Sequence, residues 1–166
     1  IAPYGEAGTY NFPERKGQAA LKLHWYSGGL KPDWNPHLPP DYKFGGRSAM
    51  YVGDKGVIIT DGGDRFPQIF PESLRQSYKP PVERIPRSKG HHRDWVDAIK
   101  SGGQSSANLD YGSRLTELAL LGVMSLRLNG ARIHWDAENM KVNGLPEAES
   151  IVKEPSSEEW DISKVM

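Results

Sequence analysis

The chain has 166 residues, about one domain's worth, and 21 basic residues balance 21 acidic ones for a formal net charge of zero. That balance argues against a nucleic-acid or anionic-membrane surface, which needs a basic excess. With no cysteine, the chain has no disulfides, thiolate nucleophiles or Cys-ligated metal sites, and no apolar run approaches the roughly 18–20 residues of a membrane span.

Residues 1–18 are rich in Gly, Pro and polar side chains and read as an extended lead-in. The chain opens on Ile1 with neither an initiator Met nor a basic-then-apolar leader, the expectation for a processed protein or an excised part. From Ala20 to Tyr26 the pattern alternates. Leu21, Leu23 and Trp25 fall on one face and Lys22, His24 and Tyr26 on the other, which predicts a half-buried strand. Residues 27–46 (SGGLKPDWNPHLPPDYKFGG) form a long proline-rich loop, a length that in compact domains is usually functional or disordered, and its Trp34, His37, Tyr42 and Phe44 weigh against plain disorder.

Ala49–Val52 and Val57–Thr60 flank Gly53-Asp54-Lys55-Gly56, a tight hairpin signal. Gln68–Phe70 and Val82–Ile85 are further short strands in this reading, separated by a Pro-rich connection. A first helix is expected over about His91–Lys100, burying Trp95, Val96 and Ile99. A second is expected over about Tyr111–Leu128, with Leu115, Leu118, Ala119, Gly122, Val123 and Leu126 as its apolar stripe. Gly103 and Gly130 stand where helices stop. Ile133–Trp135 adds a strand and Pro146–Val152 a short helix; residues 154–166 are a tail.

Hairpin strands with clustered helices predict an α+β fold over residues 19–153, with a mostly antiparallel, open-faced sheet and helices packed on one face. The other face would be partly open, and if apolar it needs a partner.

Few residues point to catalysis. His91 and His92 precede a helix beside Asp94, but adjacent helical side chains diverge and no metal-ligating His spacing follows. They read as helix-terminal structure. His24 and His134 are expected to pair or pack within strands. Glu117 sits in the run LTELALLG, at the edge of the stripe, where pairing with Arg114 is the simpler role than that of a pKa-shifted acid. Asp136 and Glu138 look like turn formers.

The aromatics are more suggestive, because aromatic faces with polar edges suit sugar stacking as well as ordinary packing. The substrate-side candidates are Trp25, Tyr26, Trp34, His37 and Tyr42, with His91 and His92. No two of the 18 glycines are separated by a single residue, so the dinucleotide fingerprint is absent, as are a phosphate loop and a Gly-x-Ser-x-Gly elbow. No catalytic, cofactor-binding or metal-ligating residue is assigned.

GHHRDWVDAIKSGG, DYGSRLTELALLG and RIHWDAENMKVNGLPEA, with the Trp25–Gly29, Gly53–Gly56 and Pro71–Ser73 motifs in the same order, resemble the C-terminal domain of the Gfo/Idh/MocA oxidoreductases, in a bacterial-type branch. The resemblance covers about residues 18–150. It implies a two-domain parent in which an N-terminal Rossmann domain binds NAD or NADP. A C-terminal α+β domain then supplies an open sheet for substrate contact and oligomerisation. Hydride would pass between the nicotinamide and a sugar or polyol carbon, assisted by a Lys from a Glu-Lys-Pro motif and a downstream His.

This sequence departs from that pattern. Lys31-Pro32 and Lys79-Pro80 lack the preceding Glu, and the stretch that carries the family's catalytic His has no match, so no catalytic residue carries over. The chain is therefore expected to bind no cofactor alone, NAD or NADP belonging to the parent. Its expected partners are its own Rossmann domain, a second copy through the open sheet face, and a carbohydrate. Two alternatives keep their place: a parent that uses NAD transiently to cleave or epimerise glycosides, and a stand-alone carbohydrate-binding or assembly module. The compartment stays open between bacterial cytoplasm and periplasm.

Overall fold

The structure, a computed structural model, describes residues 3–62 and 67–153. It is an α+β protein of antiparallel sheets and helices, as expected. Where the sequence suggests one domain over residues 19–153, the chain divides at Arg84–Ile85 into two compact units, inside the proline-rich stretch between residues 79 and 90. The tail over 154–166 lies outside the described residues.

In the first unit, β1 (Ala7–Phe12) pairs antiparallel with β2 (Leu21–Tyr26) in a two-stranded ribbon. β1 arises inside the stretch that reads as a lead-in. Its alternation is blurred by Ala7 and Gly8, and it becomes a strand because β2 supplies a ladder: Tyr10 faces Leu23 and Phe12 faces Leu21. His24 pairs across the ribbon, its Nδ1 3.0 Å from the Thr9 hydroxyl. The burial expected for Leu21 and Trp25 is not seen. They are 58% and 54% exposed, because a two-stranded ribbon has no second layer of its own.

The second sheet of this unit is β3 (Ser48–Gly53), β4 (Gly56–Asp61) and β5 (Gln68–Phe70), in that order and all antiparallel. Gly53 pairs with Gly56 across Asp54 and Lys55, which is the hairpin the sequence predicts. The β4 sequence Val57-Ile58-Ile59 is apolar on both faces. Val57 and Ile59 turn into the core, each 1% exposed, and pack with Leu38 from the long loop. Tyr42, Phe44, Met50 and Phe70 close around them. Each fully buried aliphatic side chain here contributes about 1.5–3 kcal/mol.

The Pro-rich connection after β5 opens with a short helix, α1 (Glu72–Ser77), pinned by an Arg75–Glu72 pair. Val82–Ile85 forms no strand. It lies between Pro80-Pro81 and Pro86, which have no N–H to give to a ladder, and Val82 and Ile85 are 84% and 81% exposed.

The second unit holds the long helices α2 (His91–Ser101) and α3 (Leu109–Arg127). Helix α2 runs one residue past its expected end at Lys100, and its C-cap is Gly102 instead of Gly103, in the left-handed region at φ 66°. Helix α3 is capped by the Asn108 side chain, which accepts from the Tyr111 N–H at 3.0 Å. The hairpin β6 (Trp135–Asp136) and β7 (Lys141–Val142) follows, then a 3-10 turn over Pro146–Ala148 and α4 (Glu149–Val152). Ala148 is fully buried and Met124 nearly so.

The stripe expected to be buried on α3 is largely open, with Leu115, Val123 and Leu126 exposed, and on α2 Trp95 and Ile99 are exposed too. The side of α3 that is covered carries Glu117, Leu121, Met124 and Leu128. The β6–β7 hairpin engages that side through Glu117, as described below, and a two-stranded hairpin is too narrow to cover a broad apolar face. No helix of the described residues is long and apolar enough to cross a membrane.

Candidate functional site

The outer face of the three-stranded sheet carries an open concavity. Register places Tyr51 opposite Ile58 and Ile58 opposite Ile69, a row on the face away from Val57 and Ile59. With Thr60, Pro67 and Tyr78 these side chains line an open concavity of about 530 Å³. Its floor is aliphatic, and Tyr51 and Tyr78 bring aromatic faces with hydroxyl tips. Tyr51 is 62% exposed and Tyr78 50%. The six lining residues include no carboxylate, imidazole or amine. Such a surface suits flat amphipathic groups by stacking and apolar contact, and none of these described lining residues is suited to proton transfer near neutral pH.

None of these residues is among the substrate-side candidates chosen from sequence. A signal for them exists: a β4 strand apolar on both faces means that both faces have something to cover. One face of this sheet is open, but the layer on its other face is the loop carrying Leu38, Tyr42 and Phe44 instead of the two long helices.

The chosen candidates have varied surroundings. Trp25 is at the end of β2 with its indole N–H donating to Glu6 Oε1 at 3.1 Å, and Tyr26 follows it, partly exposed. Trp34 stands out from the long loop, 59% exposed. His37 is half-buried, and its backbone N–H donates to the Asn35 side chain at 3.0 Å. Tyr42 is a core wedge instead of an open-loop aromatic. Its ring lies edge-on to Phe44 at 5.2 Å and to Phe70 at 5.3 Å, against Leu38, Val57 and Ile59.

His91 and His92 belong to the second unit. Their exposed rings are 3.9 Å apart at the start of α2. The neighbouring Asp94 is engaged elsewhere, accepting from the Ser106 hydroxyl at 2.7 Å and the Ser106 N–H at 2.8 Å. Those bonds hold its carboxyl below the usual aspartate range, the Ser106 hydroxyl first. Asp94 is thus a tie between α2 and the turn before α3, not a partner that orients an imidazole.

Two of the other carboxylates singled out from sequence, Glu117 and Asp136, also hold structure. Glu117 accepts a short hydrogen bond from the Trp135 indole N–H and lies 3.8 Å from Arg114. Asp136 accepts from the Asn139 side chain at 2.9 Å and its N–H at 3.0 Å, closing the β6–β7 turn. These contacts, the Asn139 side chain first, lower the Asp136 pKa.

A scan against models of known protein families returns no match for the chain, and a search among curated proteins finds no relative.

Proposed function

We propose that this chain is the substrate-side and assembly portion of an NAD(P)-dependent oxidoreductase acting on a sugar, polyol or glycoside, of the Gfo/Idh/MocA type. The observation that carries the reading is the open apolar face of the β3–β4–β5 sheet, with Tyr51 and Tyr78 beside Ile58 and Ile69. It offers stacking surface and hydroxyl tips to a carbohydrate, and its described lining residues bring no acid–base pair. The nicotinamide and the proton-transfer groups would come from a Rossmann domain, because this sequence contains no dinucleotide fingerprint.

The order of the motifs supports the same reading. Gly53–Gly56 makes the hairpin turn, and Pro71–Ser73 opens α1. GHHRDWVDAIKSGG becomes α2, DYGSRLTELALLG α3, and RIHWDAENMKVNG the β6–β7 hairpin. Each motif supplies the start, stop or turn of one element.

Sequencing the reading frame upstream of Ile1 tests the proposal. An encoded Gly-x-Gly-x-x-Gly followed downstream by Glu-Lys-Pro is expected. A frame without them would leave the chain as a stand-alone binding or assembly module.

A further inference from the structure

The parity of the β3–β4 ladder fixes which backbone groups of β3 are used. Gly53 pairs with Gly56 across a two-residue turn, and at the far end the Gly62 N–H donates to the Arg47 carbonyl. In an antiparallel pair, hydrogen-bonded and non-bonded positions alternate. Residues 49, 51 and 53 therefore spend their N–H and C=O groups on β4, and Arg47 its C=O. Those of Ser48, Met50 and Val52 point away from it, along the free edge of the sheet. Among the described residues no hydrogen bond to these outward groups is found.

A free edge is ordinarily guarded by a charge, a proline or a bulge. Here the edge reads Ser-Ala-Met-Tyr-Val-Gly, with none of these. The other outer strand, β5, is only three residues long and runs directly into Pro71 and α1. β2 carries Lys22 and His24.

We propose that β3 is a self-association edge: two copies pair β3 against β3, antiparallel about a two-fold axis through Met50. The strand suits a copy of itself. Met50 lies opposite the other Met50, and Ser48 opposite Val52. Each of these three pairs exchanges both backbone hydrogen bonds with no outward group left over. On the open face, Tyr51 then sits opposite Ala49 of the second copy and within diagonal reach of the second Tyr51. The rows Tyr51–Ile58–Ile69 of the two copies become one continuous surface, so a single ligand-binding face spans the axis. Closed two-fold pairing of this kind ends at a dimer, whereas heterologous edge addition would not close.

This deepens the assembly role proposed above but does not depend on the nicotinamide chemistry. Its test reads self-association alone, so either proposal can fail without the other. The chain has no cysteine, so an introduced thiol is unique. Hydrogen-bonded strand pairs hold their Cα atoms about 5.5 Å apart, within disulfide range. Met50→Cys is therefore expected to cross-link into a dimer under mild oxidation about tenfold faster than Val52→Cys, whose two copies would stand about 14 Å apart.

By sedimentation at micromolar concentrations the unaltered chain is expected to be dimeric. Val52→Pro, which removes an outward N–H and none from the β4 ladder, is expected to be monomeric with unchanged far-UV circular dichroism. Should the proline disturb the strand, Val52→Lys serves, placing a guarding charge at a residue already 63% exposed. A chain that stays monomeric overturns the proposal. So does a dimer that survives both substitutions without a Met50→Cys link.

Discussion

The indole N–H of Trp135, in β6, donates to the carboxylate of Glu117, in the middle of α3. This bond joins hairpin to helix across 18 residues of sequence. It gives the half-buried Glu117 carboxylate a short hydrogen bond from a neutral donor, while Arg114, 3.8 Å away and largely exposed, supplies only weak charge pairing. Trp135→Phe keeps the ring and removes the donor. We expect it to destabilise the second unit by about 1–2 kcal/mol, since hydrogen bonds to charged groups exceed neutral ones. Glu117→Gln, which keeps an acceptor, should cost less. Thermal unfolding followed by tryptophan fluorescence compares the two.

The two glycines of the β3–β4 turn should respond unequally to alanine. A Cβ at Gly56 would run into the Phe70 carbonyl and meet Leu74 Cδ2, so β4 approaches β5 and α1 too closely for a side chain. A Cβ at Gly53 meets only the Gly56 carbonyl at an ordinary 3.6 Å. Gly56→Ala is expected to cost about 1–3 kcal/mol or more, as overpacking against backbone does, and Gly53→Ala little. Urea denaturation midpoints measure the difference.

Acid should loosen the second unit through Asp94 and Asp136. Both carboxyls titrate below the ordinary aspartate value of about 3.9 because of the Ser106 and Asn139 contacts. A depressed folded pKa gives stability that is fully present above the unfolded value and lost as pH falls through the folded one. The loss therefore begins below about pH 4. Replacing both with Ala should flatten that acid limb and lower stability at neutral pH, as followed by circular dichroism across pH. Replacing His91 and His92 should leave the limb in place.

Tyr42 and Trp34 came from one proline-rich loop as equivalent candidates, and their surroundings separate them. Tyr42→Ala should cost about 2–3 kcal/mol, somewhat under the range for a fully buried aromatic. Trp34→Ala should stay within about 0.5 kcal/mol and show its effect in sugar binding instead. Paired stability and sugar-binding measurements distinguish these roles.

The legible parts of the fold were those with strong local punctuation. Gly53–Gly56, the α2 glycines and the amphipathic periods gave the hairpin and both long helices within a few residues. The parts that escaped depend on partners distant in sequence. β1 is a strand only because β2 lies beside it, and Val82–Ile85 has the composition of a strand but is hemmed in by prolines. Tyr42 looks like a loop aromatic until Phe44, Phe70 and Val57 surround it. The open face was inferable from β4, apolar on both sides, but Tyr78 reaches it from beyond α1, which no local pattern announces.

The central proposal is that this chain contributes a binding and assembly surface and that a Rossmann domain outside residues 1–166 would hold the cofactor. Calorimetric titration with NADH and NADPH tests it most directly, run in parallel on residues 1–166 and on the product of the complete reading frame that encodes them. The account predicts saturable binding of one nicotinamide by the complete product and none by residues 1–166. Tight binding to residues 1–166 alone, or no binding by either, would contradict it.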